Sequence, residues 1–250
     1  MSSYDPEDQR LYKDILLNCR DLGGMPLKGG KTFRKGIILR SSALGLIDEN
    51  AYRTLFSDGI RTVIDLRSEP EVRRYGNPYI DLPGATFHEV SLFVGDPDAE
   101  EDPTMEFLRT HHLGDFYCII LEELGDRIVK ILRIIRDCEG PILFHCAHGK
   151  DRTGVIAALL YLLTGADWED IVTNYKVSYD YARVFLDPLI EKKDPQMRHT
   201  LRSDEINMRI LLDHIKKEYD GDIRRYLSRN GMSGQEMDEL AAKCTVSDDL

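Results

Sequence analysis

The stretch Pro141-Ile142-Leu143-Phe144-His145-Cys146-Ala147-His148-Gly149-Lys150-Asp151-Arg152-Thr153-Gly154 decides how the rest of the chain is read. Apolar residues lead in, and a second apolar run at helical spacing, residues 155–163, leads out. Strand, tight loop and helix N-terminus together make an anion site, because backbone N–H groups and the helix dipole converge on one point. Cys146 opens the loop and Arg152 follows six positions later. None of the other four cysteines, Cys19, Cys118, Cys138 and Cys244, meets an arginine at that offset.

A cysteine in an anion site is a candidate nucleophile, since the thiolate is the reactive form and positive surroundings favour it. The expected sources are the amides of residues 147–152, the start of the helix near Thr153, and the charges of Lys150 and Arg152. The same features suit a phosphate dianion. Arg152 offers a planar fork that matches two phosphate oxygens, and Gly149 allows the twist that so tight a loop needs. Thr153 can hydrogen-bond the sulfur. Ala147 and His148 complete the candidate phosphate-binding set. The implied reaction is phosphoryl transfer to sulfur followed by hydrolysis. It needs no metal or other cofactor, because arginine and amides neutralise the transferring oxygens. A carboxyl must protonate the leaving oxygen and then activate water. Asp151 is nearest in sequence. Asp65, at the end of Val63-Ile64-Asp65-Leu66-Arg67, comes next, and Asp96, Asp98 and Asp102 lie on an acidic loop. Asp65 and Arg67 also read as an ion pair at a strand end. His145 either tunes the thiolate or satisfies backbone groups, and His148 is either a substrate contact or a bystander.

Composition bounds the setting. The 250 residues suit one domain over 1–250, and 42% hydrophobic with 31% charged residues fits a soluble core-forming chain. A net charge of -11 argues against a nucleic-acid partner. Five scattered cysteines fit free thiols in a reducing compartment. Residues 1–10 are polar and acidic, unlike a signal peptide, and the longest apolar stretch is too short for stable membrane insertion. The expected location is cytoplasmic, with signal-independent secretion left open, and oligomeric state is not readable.

Along the chain, residues 36–40, 61–66, 85–92 and 141–145 read as strands. Asp48 caps a helix that Gly59 ends, Gly125 kinks or splits a helix over 116–137, Gly165 stops the helix after the cysteine loop, and Asp167 opens the next. Ser203 reads as a helix cap, and Ser233 with Glu236 as a capping box. Residues 94–104 read as a loop, and 179–202 as polar, irregular and broken by proline. Strand signals vanish after about residue 178. This is an α/β pattern, a sheet with helical cover and a helical C-terminal third.

The loop H-C-A-H-G-K-D-R-T-G is similar to the H-C-x5-R-[ST] loop of cysteine-dependent tyrosine and dual-specificity phosphatases, and its G-K-D-R-T version resembles the bacterial tyrosine-phosphatase-like family. Asn18-x-Arg20-Asp21-Leu22-Gly23-Gly24, Arg40-Ser41-Ser42 and Val63-Ile64-Asp65-Leu66-Arg67 resemble further elements of that family, so the likeness covers about residues 15–243. It implies a cysteine-phosphatase fold with a mostly parallel central sheet. It also implies Cys146 as nucleophile, Arg152 as phosphate binder, Asp151 as acid and base, and Lys150 as the lysine linked to phosphoinositide acceptance. A helical lid over about residues 175–202 is implied too, as is a partner that is a phosphorylated protein or a phosphoinositide. The chain departs from the pattern in Asn174-Tyr175-Lys176-Val177-Ser178-Tyr179, which has tyrosine where many relatives are expected to carry asparagine, and it has no W-P-D triplet. The function expected is hydrolysis of phosphotyrosine, extending to phosphoserine, phosphothreonine and phosphoinositides. The alternatives are a silent phosphate-binding module, or sulfur transfer or arsenate reduction on the same loop.

Overall fold

A computed structural model describes residues 4–99 and 101–247. The first three residues of the acidic N-terminus, Glu100 of the acidic loop and residues 248–250 lie outside them. In chain order the strands are β1 (Arg20–Asp21), β2 (Pro26–Leu27), β3 (Lys31–Phe33), β4 (Ile38–Ser41), β5 (Thr62–Asp65), β6 (Thr86–Glu89), β7 (Ile142–His145) and β8 (Thr245–Ser247). The α-helices are α1 (Glu49–Ser57), α2 (Glu69–Tyr75), α3 (Pro103–Phe107), α4 (Leu113–Glu123), α5 (Gly125–Asp137), α6 (Asp151–Thr164), α7 (Trp168–Lys192), α8 (Glu205–Tyr219), α9 (Ile223–Arg229) and α10 (Gly234–Cys244).

The fold is α/β. Among the described residues, the central sheet has the order β1-β4-β7-β5-β6, with β4, β7, β5 and β6 parallel and β1 antiparallel at one edge. β7 lies in the middle, and all four of its residues are buried. A strand covered on both faces reads as a continuous apolar run, which is why residues 141–144 carry no alternation. α6 is apolar around its whole circumference for the same reason. It is buried from Arg152 to Tyr161 and touches β7, α4, α7, α9 and α10.

The register places the site. Ser41 pairs with His145, and His145 pairs with Asp65, so β4, β7 and β5 end level with one another. The segments that leave these three strands start from a common edge, the carboxyl end of a parallel sheet, where α/β folds bind ligands.

Local signals place several helix boundaries where the sequence puts them. Asp48 accepts from the Ala51 N–H at 2.8 Å, Gly165 adopts the left-handed conformation at the end of α6, and Ser233 and Glu236 form their box. Gly125 opens α5 directly after α4, a split rather than a kink. Three expectations need correction. Residues 179–192 are not irregular, because α7 runs unbroken through Pro188 to Lys192. The proline removes one hydrogen bond, to the carbonyl of Val184, a residue 85% exposed, so water can take that carbonyl. Burial of Ala182 and Leu186 against Leu201 holds the inner face. The strand signal does not end near 178, since β8 pairs with β3, which also pairs with β2, in a small second sheet. Strands of two or three residues are too short to show a period. Finally, Ser203 does not cap α8. Its hydroxyl donates to the Lys176 carbonyl at 2.6 Å and accepts from the Tyr179 N–H at 2.8 Å, splicing the chain before α8 into the backbone of α7.

Asp21 closes the turn after β1 by accepting from the N–H groups of Gly23 (2.9 Å) and Gly36 (2.6 Å). Gly23 is pressed on the facing backbone, and a Cβ there would stand 2.2 Å from Lys35 Cα. Gly23→Ala should therefore cost about 1–3 kcal/mol of stability, since backbone cannot give way as a side chain can. Urea unfolding of the variant checks this, and an unchanged midpoint would refute it.

Candidate active site

Cys146 follows β7 directly and is 2% exposed. The loop beyond it is shaped by its carbonyls. The Cys146 carbonyl lies 3.0 Å from His145 Nδ1, and the Ala147 carbonyl accepts from the Ala43 N–H at 2.9 Å. Asn18 Nδ2 donates to the carbonyls of His148 (3.0 Å) and Gly149 (2.9 Å), and an Arg40 guanidinium nitrogen also reaches Gly149 O, at 2.8 Å. With these carbonyls held from outside, the N–H groups of residues 147–150 have no protein acceptor among the described residues. Successive free amides of this kind form an anion-binding concavity. Gly149 makes the bend, with φ of +65°, and a Cβ there would lie 2.3 Å from the Ser41 carbonyl oxygen.

Arg20 and Arg40 form the support behind the loop. Both are buried, and among the described residues neither meets a carboxylate. Arg20 donates to the Asn174 carbonyl at 2.8 Å and to Ser178 Oγ at 2.9 Å, while Arg40 donates to Asn174 Oδ1 at 3.1 Å. Burial pulls both guanidinium pKa values down, and Arg20 adds to the effect at Arg40. The N-x-R-D-L-G-G and R-S-S elements thus reach the loop from behind.

Arg152, in the first turn of α6, is gripped by Glu71 of α2. Its two terminal nitrogens meet the two carboxylate oxygens at 2.6 and 2.9 Å. Burial works against the charge on Arg152, but Glu71 outweighs it and holds the guanidinium more firmly protonated. Glu71 is fixed in turn by its capping box, accepting from the Ser68 N–H at 2.8 Å and Ser68 Oγ at 3.0 Å. Sequence reasoning missed this residue, although Ser68-x-x-Glu71, directly after Arg67, is a readable capping box.

Asp65 and Arg67 are joined in a buried pair, Arg67 to Asp65 Oδ2 at 2.7 Å. Asn77 Nδ2 bridges Asp65 Oδ2 at 3.1 Å and His145 Nε2 at 2.9 Å. Burial opposes ionisation of Asp65, but the His145 ring, Arg67 and Asn77 outweigh it and bring its pKa to about 2. Burial pushes the His145 pKa down, so the ring is neutral at pH 7 and Arg67 is the persisting cation beside Asp65.

Asp102 caps α3, accepting from the Thr104 and Met105 N–H groups at 2.9 and 3.2 Å, while Asp96 and Asp98 bind Arg74 at 2.7 and 2.5 Å. Lys150 is fully buried. Its ammonium donates to Asp151 Oδ1 (2.7 Å) and to the carbonyls of Thr200 (3.1 Å) and Arg202 (2.7 Å), which occupies its three N–H groups. It is not among the residues that line the cleft. Thr153 Oγ1 is buried with no hydrogen-bond partner among the described residues.

The cleft over the loop has a volume of about 520 Å³. Ala147, His148, Asp151, Arg152, Arg67 and Glu71 form its polar floor. Phe93, Met105, Leu108, Leu113, Phe116 and Leu201 form an apolar wall, and Lys192 and Lys193 stand on the α7 side. Burial and the charge of Lys150 push the His148 pKa down to about 4, so this ring faces the cleft uncharged at pH 7.

These shifts contribute to the acid response of the fold. The depressed Asp65 pKa gives stability that is full above about 3.9, the unfolded value, and is lost as pH falls through about 2. His145 and His148, also depressed, contribute above about 6.5 and lose their contributions below it. All three act in one direction. The urea midpoint should fall steadily from pH 7 to pH 3, and a midpoint that is constant or rises over that range would contradict the buried neutral histidines.

Comparison with known proteins gives concordant results. A protein of Cupriavidus necator provisionally named a tyrosine-protein phosphatase is 33% identical over 168 residues, 65% of this chain and 60% of that protein. The triple specificity protein phosphatase PtpB of Mycobacterium tuberculosis is 31% identical over 176 residues, 59% of this chain and 62% of PtpB. A tyrosine-protein phosphatase of Nostoc commune is 29% identical over 147 residues, 57% of this chain and 48% of the relative. The chain thus spans about half to three-fifths of the length of these relatives. Among solved structures, TpbA of P. aeruginosa in complex with pTyr overlaps loosely, with 14% identity and a TM-score of 0.42 over 90% of this chain and 96% of TpbA. The Siw14 catalytic core gives 17%, 0.39, 77% and 86% in the same order. The tyrosine phosphatase family profile matches residues 13–246, a span that includes the Cys146 loop, Arg152 and the arginines behind the loop, and the chain belongs to that family.

Proposed function

We propose that the chain hydrolyses phosphomonoesters, phosphotyrosine foremost, through a cysteinyl-phosphate intermediate. The observation that carries this reading is the loop whose carbonyls are tied outward, with a cysteine at its start and a clamped arginine at its end. The Cys146 sulfur forms a bond to phosphorus as the ester P–O bond breaks, and Asp151 gives its proton to the leaving oxygen. Water then attacks phosphorus, Asp151 takes its proton, the S–P bond breaks and inorganic phosphate leaves. Arg152 and the loop amides hold the equatorial oxygens throughout.

Two features support Asp151 as the acid. It lines the cleft, as does Asp98, but Asp98 is paired with Arg74, Asp65 is paired with Arg67 and fully buried, and Asp102 is taken up as a cap. The apolar wall of Phe93, Phe116 and Leu113 suits an aryl ester. Names of tyrosine and triple specificity phosphatases among the relatives support the same reading and extend it to phosphoserine and phosphothreonine. For a phosphoinositide, Lys192 and Lys193 are the cleft cations beyond Arg67 and Arg152, since the Lys150 ammonium is held by Asp151, Thr200 and Arg202. No helix among the described residues is long and apolar enough to cross a membrane, so such a lipid would be met at a surface.

The purified protein should hydrolyse p-nitrophenyl phosphate in the presence of chelator. Cys146→Ser should abolish turnover, and Arg152→Ala should reduce it by about a thousandfold or more. Full activity in Cys146→Ser, or strict dependence on added metal, would overturn the mechanism. Tight binding of a phosphotyrosine peptide without phosphoenzyme in rapid quench would mark a silent binding module instead. Asp151→Asn should lower kcat on phenyl phosphate about a hundredfold or more, and far less on p-nitrophenyl phosphate, because only the poorer leaving group needs the proton. Equal losses on both esters would remove Asp151 as the acid.

A further inference from the structure

Side chains of three helices form a hydrogen-bonded chain that ends on the Asp151 carboxylate. Tyr117 of α4 donates its O–H to Asp151 Oδ1 at 2.5 Å. The Tyr117 and Tyr175 hydroxyls lie 2.7 Å apart, and Asn207 Nδ2 of α8 reaches the Tyr175 hydroxyl at 3.4 Å. Both tyrosines are buried, and their rings pack edge to face with centroids 6.0 Å apart.

The polarity of this chain is fixed at its far end. Asn207 Oδ1 accepts from the Gly114 N–H at 3.3 Å, so the amide turns its NH2 toward Tyr175. Tyr175 oxygen therefore accepts from Asn207, and its O–H is left to donate to Tyr117. Tyr117 oxygen accepts in turn and passes its own O–H to Asp151. Hydrogen bonds aligned in one direction reinforce one another in a buried setting. Lys150 Nζ binds the same carboxylate oxygen at 2.7 Å. Two donors thus converge on Oδ1, and among the described residues no donor meets Oδ2. Asp151 is part-exposed and lines the cleft.

We infer that Tyr117 is the positioning residue of the acid: with Lys150 it saturates Oδ1, so that the transferable proton of Asp151 resides on Oδ2, the oxygen left for the leaving group. The inference rests on Asp151 being the acid, as proposed above. A tyrosine buried only for packing would lose ring contacts on substitution, with no preference for one leaving group over another. A positioning tyrosine matters only where the proton is needed.

The test compares Tyr117→Phe, Asp151→Asn and the double variant on phenyl phosphate and p-nitrophenyl phosphate. Tyr117→Phe should lower kcat on phenyl phosphate by roughly tenfold or more, with about a twofold change or less on p-nitrophenyl phosphate and little change in KM. In the Asp151→Asn background the same substitution should add no leaving-group-dependent loss, because the two residues act as one unit. If Asp151→Asn discriminates between the esters and Tyr117→Phe does not, the positioning role is overturned while the acid assignment stands. If Asp151→Asn itself does not discriminate, the acid assignment fails and takes this inference with it. Tyr175→Phe decides the matter should Tyr117→Phe not fold. It keeps the Tyr117 contact but removes the donor behind it, so it should give a smaller loss with the same preference for phenyl phosphate. No such preference would refute the role.

Discussion

The candidate site depends on turning the carbonyls of one loop outward. A loop after a parallel strand presents oxygens as readily as amides, and an anion is bound only if the oxygens are engaged elsewhere. Asn18 takes two of them with one amide group, Arg40 reinforces one of these, and the Ala43 N–H takes a third. All three donors stand at one end of the sheet because β4 and β7 finish in register and β1 pairs with β4. The cost is visible in Arg20 and Arg40, whose Nε atoms are buried without partners and whose charges no carboxylate offsets among the described residues. Such burial weakens a fold. Here it leaves positive charge directly behind the loop proposed to hold an anion.

The clamp on Arg152 follows a related logic. An arginine in the phosphate-binding role proposed for Arg152 must wait in a planar, aimed pose, and a flexible side chain does not hold one unaided. Glu71 supplies the aim, and the capping box of α2 supplies the aim of Glu71. A short helix thus sets the orientation of the Arg152 guanidinium, the proposed phosphate fork, through one hydrogen-bonded turn. The pair of Asp65 and Arg67 does similar work one step away, tying β5 to the Gly76 carbonyl beyond α2 and, through Asn77, to the ring of His145.

What was legible in the sequence was local. The strand, loop and helix around Cys146 are contiguous, so their order reads directly, and Asp48, Gly165 and the Ser233 box act within one turn of their own helices. Partner choice across the fold was not legible. Lys150 looks like a substrate contact by position, yet its ammonium is taken up by Thr200 and Arg202, fifty residues away. Glu71 and Tyr117 lack any spacing that ties them to Arg152 and Asp151, since proximity to the loop is created by sheet register and helix packing. The unbroken run of α7 past Pro188 was hidden for a related reason, because propensity counts the proline, whereas tertiary contacts of Ala182 and Leu186 decide.

The reach of Arg20 toward α7 has a consequence for biogenesis. The guanidinium that steadies Asn18 finds its other partners at Asn174 and Ser178, more than 150 positions later. A ribosome that has just released Cys146 and Arg152 has therefore not yet delivered the residues that brace their cradle. The nascent chain carries its thiol without the finished cradle, and only when α7 emerges do the ends of the brace meet. The contact closes over a long sequence interval, a late and slow kind of contact, so the cradle matures only after α7 has been made rather than when its own residues appear.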